Sequence, residues 1–395
     1  MSEFPSEWSS LRVALAHDWL TGMRGGERVL ELLCQGFPDA AIYSLIHRQE
    51  AISPTINQHP VHTSGLQRIP FIARTYRYWL PLYPWFVRQF RPVPADLLIS
   101  THHCVAKSVP RPPGGRHLCY CFTPMRYAWT FYEDYFGRNR LKKTLLKPVL
   151  AGLRQWDREQ AHQVDRFVAI SHHVRDRIQT FYSRDADVVY PPVDTDRCTP
   201  DERGRDDGYD LIVSALVPYK RIDLAVAAYN HSGYPLRIVG TGTEYRRLRA
   251  QASPNVHFLG WQPDAAILAM YQRCRLLVFP GEEDFGIVPV EAQACGKPVV
   301  AFGRGGATET LVDGQTAMFF SEQTASALRE AVERAADQPW DMAVIRRNAE
   351  RFGVKRFIAG MAQSIRACLA EDCLERDRHV SGKGQTRFSD WDGNG

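Results

Sequence analysis

The sequence predicts an α/β protein made of two doubly wound parallel-sheet domains that face one another across a cleft. Three observations carry this reading. The chain has 395 residues, a length that suits about two domains with full-sized cores. Short apolar runs alternate with helical stretches in two successive series. Between the series lie Pro191-Pro192-Val193 and the charged run Asp201–Gly208, whose composition is that of a linker. On these grounds the first domain is placed at residues 11–200, the second at 207–365, and a polar, frayed tail at 373–395.

The first strand is Leu11–His17, which runs through the glycine loop Gly22–Glu27 into a helix from Arg28. Apolar runs at Ala41–Leu45, Ala95–Ser100, His117–Phe122 and Arg166–Ile170 supply further strands, with helical stretches between several of them. In the second series Leu211–Ala215, Leu236–Gly240, Arg275–Phe279 and Pro298–Phe302 read as strands. Ile222–Tyr229 and Val288–Cys295 read as helices. Folds of this kind bind ligands beyond the carboxyl ends of the strands, so chemistry is sought there.

Composition narrows the function. Apolar residues make up 44% of the chain and charged residues 24%, which excludes a disordered or fibrous protein. No run of about 18 apolar residues exists to span a membrane, and the acidic start lacks the hydrophobic segment of a signal peptide. The cysteines number 9 and are scattered singly, apart from Cys119-Tyr120-Cys121. That pattern fits reduced thiols in a cytoplasmic protein better than disulfides or a zinc site. The net charge of +5 is uneven, because residues 51–150 hold 14 basic and 3 acidic residues. Within them, Arg74–Arg91 interleaves arginines with Trp, Tyr and Phe, as suits an element lying on an anionic membrane face. A packed helix with a solvated basic side is the competing reading. Nucleic acid is not expected as a partner, since no recognisable nucleic-acid module accompanies the charge.

The sharpest chemical feature is Phe279–Pro298. Glu283 leaves a strand, Glu291 lies about one turn into the next helix, and Phe285, Gly286 and Ile287 sit at the helix start between them. Free N–H donors and the helix dipole favour a phosphate at such a tip. Gly286 allows close main-chain approach, and the two carboxylates can accept hydrogen bonds from sugar hydroxyls. Two acids decorating a helix start would look the same, so the neighbours matter. Lys220 and Arg221 place cations at the end of the second domain's first strand, where they can neutralise a departing diphosphate. Gly305, Gly306 and Glu309 add a glycine turn and a third acid. Gly240-Thr241-Gly242 does not complete a dinucleotide fingerprint, because Tyr245 stands where the third glycine belongs, and this disfavours a nicotinamide enzyme.

Glu283-x7-Glu291 with Phe285-Gly286, the Pro218-Tyr219-Lys220-Arg221 turn and the Gly305-Gly306-x-x-Glu309 turn resemble the donor half of glycosyltransferase family 4, retaining enzymes of GT-B fold. His17–Glu27, Cys119–Trp129 and Tyr190–Asp194 extend the likeness to the acceptor half and are similar to bacterial mannosyltransferases of O-antigen and exopolysaccharide synthesis. The resemblance covers most of residues 11–365. It implies that Glu283 meets the donor sugar, that Glu291 meets the nucleotide ribose, and that Phe285–Ile287 and Lys220 hold the diphosphate. Gly25 and Gly26 would approach it from the first domain. It also implies a histidine near the sugar, for which His103 matches best and His102 is the near alternative. Arg126, Tyr127 and Trp129 are acceptor-facing candidates, with ordinary aromatic packing as the alternative. Two positions depart from the family's pattern: Ala215 stands where an arginine is usual, and Phe122 where a histidine is usual. Diphosphate stabilisation then rests on Lys220, Arg221 or a basic residue of the other domain.

The resulting expectation is transfer of a hexose, with mannose from GDP-mannose favoured, to a polyprenyl-diphosphate-linked saccharide with retention of configuration. No metal or other cofactor is expected. A UDP-sugar donor and a catalytically silent scaffold subunit are the alternatives. The protein is expected on the inner face of the cell membrane as a peripheral enzyme.

Overall fold

The first sheet forms around β1 (Val13–His17), all five of whose residues are buried. A strand covered on both faces needs a continuous apolar run, which is what Val-Ala-Leu-Ala supplies. In the computed structural model, which describes residues 4–129, 140–201 and 206–382, six further strands join it. They are β2 (Ala41–Ser44), β3 (Val61–Thr63), β4 (Leu97–His102), β5 (Arg116–Cys121), β6 (Arg166–Ala169) and β7 (Ala186–Val188). Their order is β3-β2-β1-β4-β5-β6-β7. The second domain repeats the plan with β8 (Asp210–Val213), β9 (Leu236–Val239), β10 (Val256–Gly260), β11 (Leu277–Phe279), β12 (Val299–Phe302) and β13 (Ala317–Phe320). Its order is β10-β9-β8-β11-β12-β13. Every strand pair in both sheets is parallel.

The strand order reverses beside β1 in one sheet and beside β8 in the other, and these switch points open the crevice used by ligands. The two carboxyl edges face each other. Gly25, which follows β1, packs so tightly on Ile287, which follows β11, that a Cβ on it would lie 2.8 Å from the Ile287 Cδ1.

Strands β3, β7, β10 and β13 have no counterpart among the sequence-predicted strands, and each is the outermost strand of its sheet. Paired on one side only, β3, β7 and β10 are partly exposed and lack the unbroken apolar run of an interior strand, whereas β13 (Ala-Met-Phe-Phe) is apolar throughout and was missed despite carrying that signal. The domain boundary also differs from expectation. The helix Val354–Gly382 crosses back to the first sheet, where Phe357 meets the Tyr120 ring at 5.5 Å and the Ser364 hydroxyl donates to Asp187 at 2.8 Å. The second domain therefore ends before Val354 rather than at residue 365. The expected tail at 373 is helical backbone through Gly382, and the remainder lies outside the described residues.

The basic-aromatic stretch is a chain of short turns, Ile72–Thr75, Tyr76–Leu82 and Tyr83–Val87, rather than one long helix. It buries Tyr76, Leu80, Tyr83 and Phe86, while Phe71 is 78% exposed, Tyr78 83% and Trp85 63%. Among the described residues, no helix is long and apolar enough to cross a membrane.

Candidate active site at the interdomain cleft

The helix Ile287–Ala294 starts from Gly286, whose φ of 91° is left-handed and suits glycine. Beneath this tip the Gly305-Gly306 turn packs against Glu283–Phe285. The Gly306 N–H donates to the Glu283 carbonyl at 2.7 Å, and a Cβ on Gly306 would lie 2.3 Å from the Phe285 Cα. Gly281 brings the end of β11 against the Lys220 turn, since a Cβ there would be 2.9 Å from the Lys220 Cα. These close approaches join the side chains of Lys220 and Glu283 in an ion pair, within a recess also lined by Val213, Ser214 and Phe279. Burial lowers the Lys220 ammonium to about 7, with the positive charge of Arg126 acting in the same direction.

On the far side of the helix tip lies a cavity of about 200 Å³ between the domains. Glu291 lines it and accepts a hydrogen bond from the Tyr271 hydroxyl at 3.0 Å. Burial raises the Glu291 carboxyl above its ordinary value. The opposite wall holds Gly25 with Arg24 and Arg28, and the linker supplies Arg197. Arg28 pairs with Asp264, and Arg197 lies 3.9 Å from both Asp264 and Glu291. Glu283 and Glu291 thus flank the helix tip from two recesses, with Phe285 buried between them. Gly26 packs against Phe122, where a Cβ would lie 3.2 Å from the ring.

Several predicted residues are engaged elsewhere. Arg221 directs its guanidinium to Asp223 and Gln323, and it does not line either recess. Glu309 reaches the first domain, where its carboxylate accepts the N–H groups of His172 and His173 at 2.8 Å each. An anion there completes the N-terminus of the helix His172–Tyr182. Tyr127 is buried, and Trp129 stacks on Phe181 while donating to Asp157 at 2.8 Å, so both belong to packing. His102 is fully buried, which leaves His103, its side chain 24% exposed, as the accessible histidine of that pair, although it lines neither recess.

Asp18 holds His103. Its buried carboxylate accepts the backbone N–H groups of His103, Cys104, Val105 and Ala106 at 2.7, 3.0, 2.5 and 2.7 Å. It also lies 2.8 Å from the His103 Nδ1. An Nδ1–H donated to Asp18 leaves Nε2 as an acceptor. Burial opposes ionisation of Asp18, but His103 and the N–H donors outweigh it and hold the carboxyl well below its ordinary value.

Arg126 crosses the cleft. Its Nη2 lies 2.6 Å from Asp284, which also pairs with Arg177. The Tyr219 ring stands 5.9 Å from the Arg126 guanidinium and 5.4 Å from the Lys220 ammonium. Burial favours the neutral acid at Asp284, yet the two guanidiniums hold its carboxyl below the ordinary value. Sequence reasoning assigned no role to Asp284, Asp18, Arg28 or Arg197. Asp284 and Asp18 stood inside motifs already singled out, but their partners lie 158 and 85 positions away.

A family model described as Glycosyltransferase Family 4 matches residues 23–197, and one described as Glycosyl transferases group 1 matches residues 202–352. The D-rhamnosyltransferase WbpZ of Pseudomonas aeruginosa is 29% identical over 241 residues, 56% of this chain and 61% of the relative. The alpha-1,3/1,6-mannosyltransferase alg-2 of Neurospora crassa is 36% identical over 126 residues, 30% of this chain and 26% of the relative. The chain spans less than two thirds of the length of these curated relatives. The crystal structure of Anabaena HepE in complex with UDP and glucose superposes with a TM-score of 0.65 at 16% identity, covering 90% of this chain and 99% of that one. That likeness shows the fold.

Proposed function

We infer that this chain, which belongs to glycosyltransferase family 4, transfers a hexose from a nucleotide sugar to a lipid-linked saccharide, with GDP-mannose as the favoured donor. The observation that carries the reading is the helix tip at Gly286, flanked by Glu283 with Lys220 on one side and Glu291 on the other. The diphosphate lies at the helix tip with Lys220, Glu283 takes the sugar hydroxyls, and Glu291 takes the ribose. Arg126, delivered from the first domain beside Lys220, adds the second cation that Ala215 cannot provide.

The transfer needs positioning and charge stabilisation rather than an enzyme nucleophile. The acceptor oxygen bonds to the anomeric carbon on the face from which the diphosphate departs. The carbon–oxygen bond to the phosphate breaks, and the acceptor's proton passes to the departing phosphate oxygen. His103, oriented by Asp18, sits on the acceptor side. The cations of the cradle neutralise the leaving group without a bound metal.

The rhamnosyl- and mannosyltransferase relatives favour mannose or a related deoxyhexose, and GDP is carried over with mannose from the family resemblance. A UDP-sugar is the second reading, favoured by the UDP bound to the superposed neighbour. The exposed Phe71, Tyr78 and Trp85, interleaved along the chain with the exposed Arg74, Arg77, Arg88 and Arg91, support a peripheral position on an anionic inner membrane face.

Thermal-shift binding against GDP, UDP, ADP and their sugars tests the donor, followed by nucleotide release with a lipid-linked acceptor. Stabilisation by GDP compounds and release of GDP are expected. Shifts with UDP compounds alone would replace mannose with a UDP-linked hexose, and binding without nucleotide release would favour a silent subunit.

A further inference from the structure

Lys220 and Glu283 serve different parts of the donor, the ammonium its diphosphate and the carboxylate its sugar. In the structure they hold one another. Neither side chain can keep this contact in full and also take up the role assigned to it. The surroundings leave little slack. Asp284, the next carboxylate along the chain, is engaged by Arg126 and Arg177, and its carbonyl accepts the Ser171 hydroxyl at 2.6 Å. Arg126 brings a like charge toward Lys220. A largely buried ammonium beside a guanidinium needs an anion, and Glu283 supplies it.

A diphosphate entering the recess offers Lys220 a stronger anion. Glu283 is then left as a largely buried carboxylate facing phosphate oxygens of its own sign. Sugar hydroxyls relieve that position by donating to it, whereas a nucleoside diphosphate without a sugar has none to offer. The geometry points to a carboxylate exchange: Glu283 and the diphosphate compete for the Lys220 ammonium, and the competition is resolved for the diphosphate when a sugar satisfies Glu283. This rests on the nucleotide-sugar reading above. Its consequence is selectivity for the complete donor over the spent nucleotide. Once the hexose has left, Glu283 recaptures Lys220 and drives the nucleoside diphosphate out.

Isothermal titration calorimetry on the full chain tests this, using GDP and GDP-mannose, with UDP and UDP-glucose in parallel. The wild-type protein should bind the sugar nucleotide more tightly than the matching nucleoside diphosphate. Glu283→Gln removes the competing charge, so the nucleoside diphosphate should bind about tenfold more tightly than to wild type, while the sugar nucleotide gains nothing. In a Lys220→Ala background the same substitution should give a clearly smaller gain, since the contested ammonium is gone and only the repulsion between carboxylate and phosphate is relieved; an equal gain would overturn the exchange. Equal wild-type affinities for the two ligands, or unchanged or weaker nucleoside diphosphate binding by Glu283→Gln, would overturn the exchange and leave the donor reading standing. Failure of the wild type to bind any of the four ligands would overturn both.

Discussion

Lys220 is held in a recess where burial and the Arg126 guanidinium both disfavour its charge, lowering it to about 7. The charged form is what a diphosphate attracts. It is present below that value and is lost from the free enzyme as pH rises through it, so kcat/KM for the donor should fall above neutrality by about tenfold per unit. Lys220→Arg keeps its charge at every accessible pH and should flatten that limb at a lower rate. Lys220→Ala should lose about 10²–10³ in kcat with no limb at all. Rate profiles from pH 5.5 to 9 would check this, and a flat wild-type profile across about 6 to 9 would refute it. Glu283 and Glu291 were legible from sequence because one strand end and the helix start that follows hold them by local spacing, and Lys220, 63 positions from Glu283, because a cation at a strand's carboxyl end stands out within its own turn. Asp264 was not, because its partner Arg28 is 236 positions away, and long-range pairing leaves no mark on a local motif.

Elements follow the same rule. Interior strands such as β1 and β4 carry unbroken buried runs and are readable, while the edge strands β3, β7 and β10, partly exposed and broken by polar residues or glycine, resemble loops. The first helix starts at Gly25 rather than Arg28, as its glycines had suggested a loop continuing to that point. The glycine turns under the helix tip differ in what they require, and this separates two substitutions that look alike in sequence. At Gly286 an added Cβ meets its nearest neighbour at 3.4 Å, so Gly286→Ala chiefly suffers the left-handed backbone, about 1–2 kcal/mol. At Gly306 the Cβ would meet the Phe285 Cα at 2.3 Å, and backbone atoms cannot turn aside. Gly306→Ala should therefore displace the helix start, weaken donor binding more than tenfold and destabilise the fold further than Gly286→Ala, by about 3 kcal/mol in all, with a correspondingly lower melting temperature. Calorimetric unfolding and donor titration of both variants would decide, and equal losses would show that the Gly305-Gly306 turn does not position the tip.

At the scale of the molecule, charge and shape divide the work between the domains. The basic excess predicted for residues 51–150 includes four exposed arginines, Arg74, Arg77, Arg88 and Arg91, in the same stretch of the first domain as the exposed rings of Phe71, Tyr78 and Trp85. Phe71 within that stretch has a φ of 57°, a conformation bulky residues rarely adopt, so the chain holds an aromatic side chain outward at a cost in backbone strain. Such a stretch gains little in water, but a bilayer accepts the rings at its interface while anionic headgroups attract the arginines, at about 1 kcal/mol for each cation near the surface. The acceptor reading requires the cleft to meet a lipid-borne substrate, and the same domain delivers Arg126 across that cleft to Asp284. Flotation with phosphatidylglycerol–phosphatidylethanolamine vesicles should therefore carry the protein upward, and 1 M salt should weaken the binding as the headgroup attraction is screened. The triple substitution Phe71→Ser, Tyr78→Ser and Trp85→Ser touches exposed side chains alone, so it should fold normally and keep turnover on a short-chain soluble acceptor. Its partition onto the vesicles should drop about tenfold or more, with a matching rise in KM for the lipid-linked acceptor in membranes. Equal flotation of the variant and the wild type, or no flotation of either, would assign the rings another partner and detach the acceptor's lipid anchor from this face.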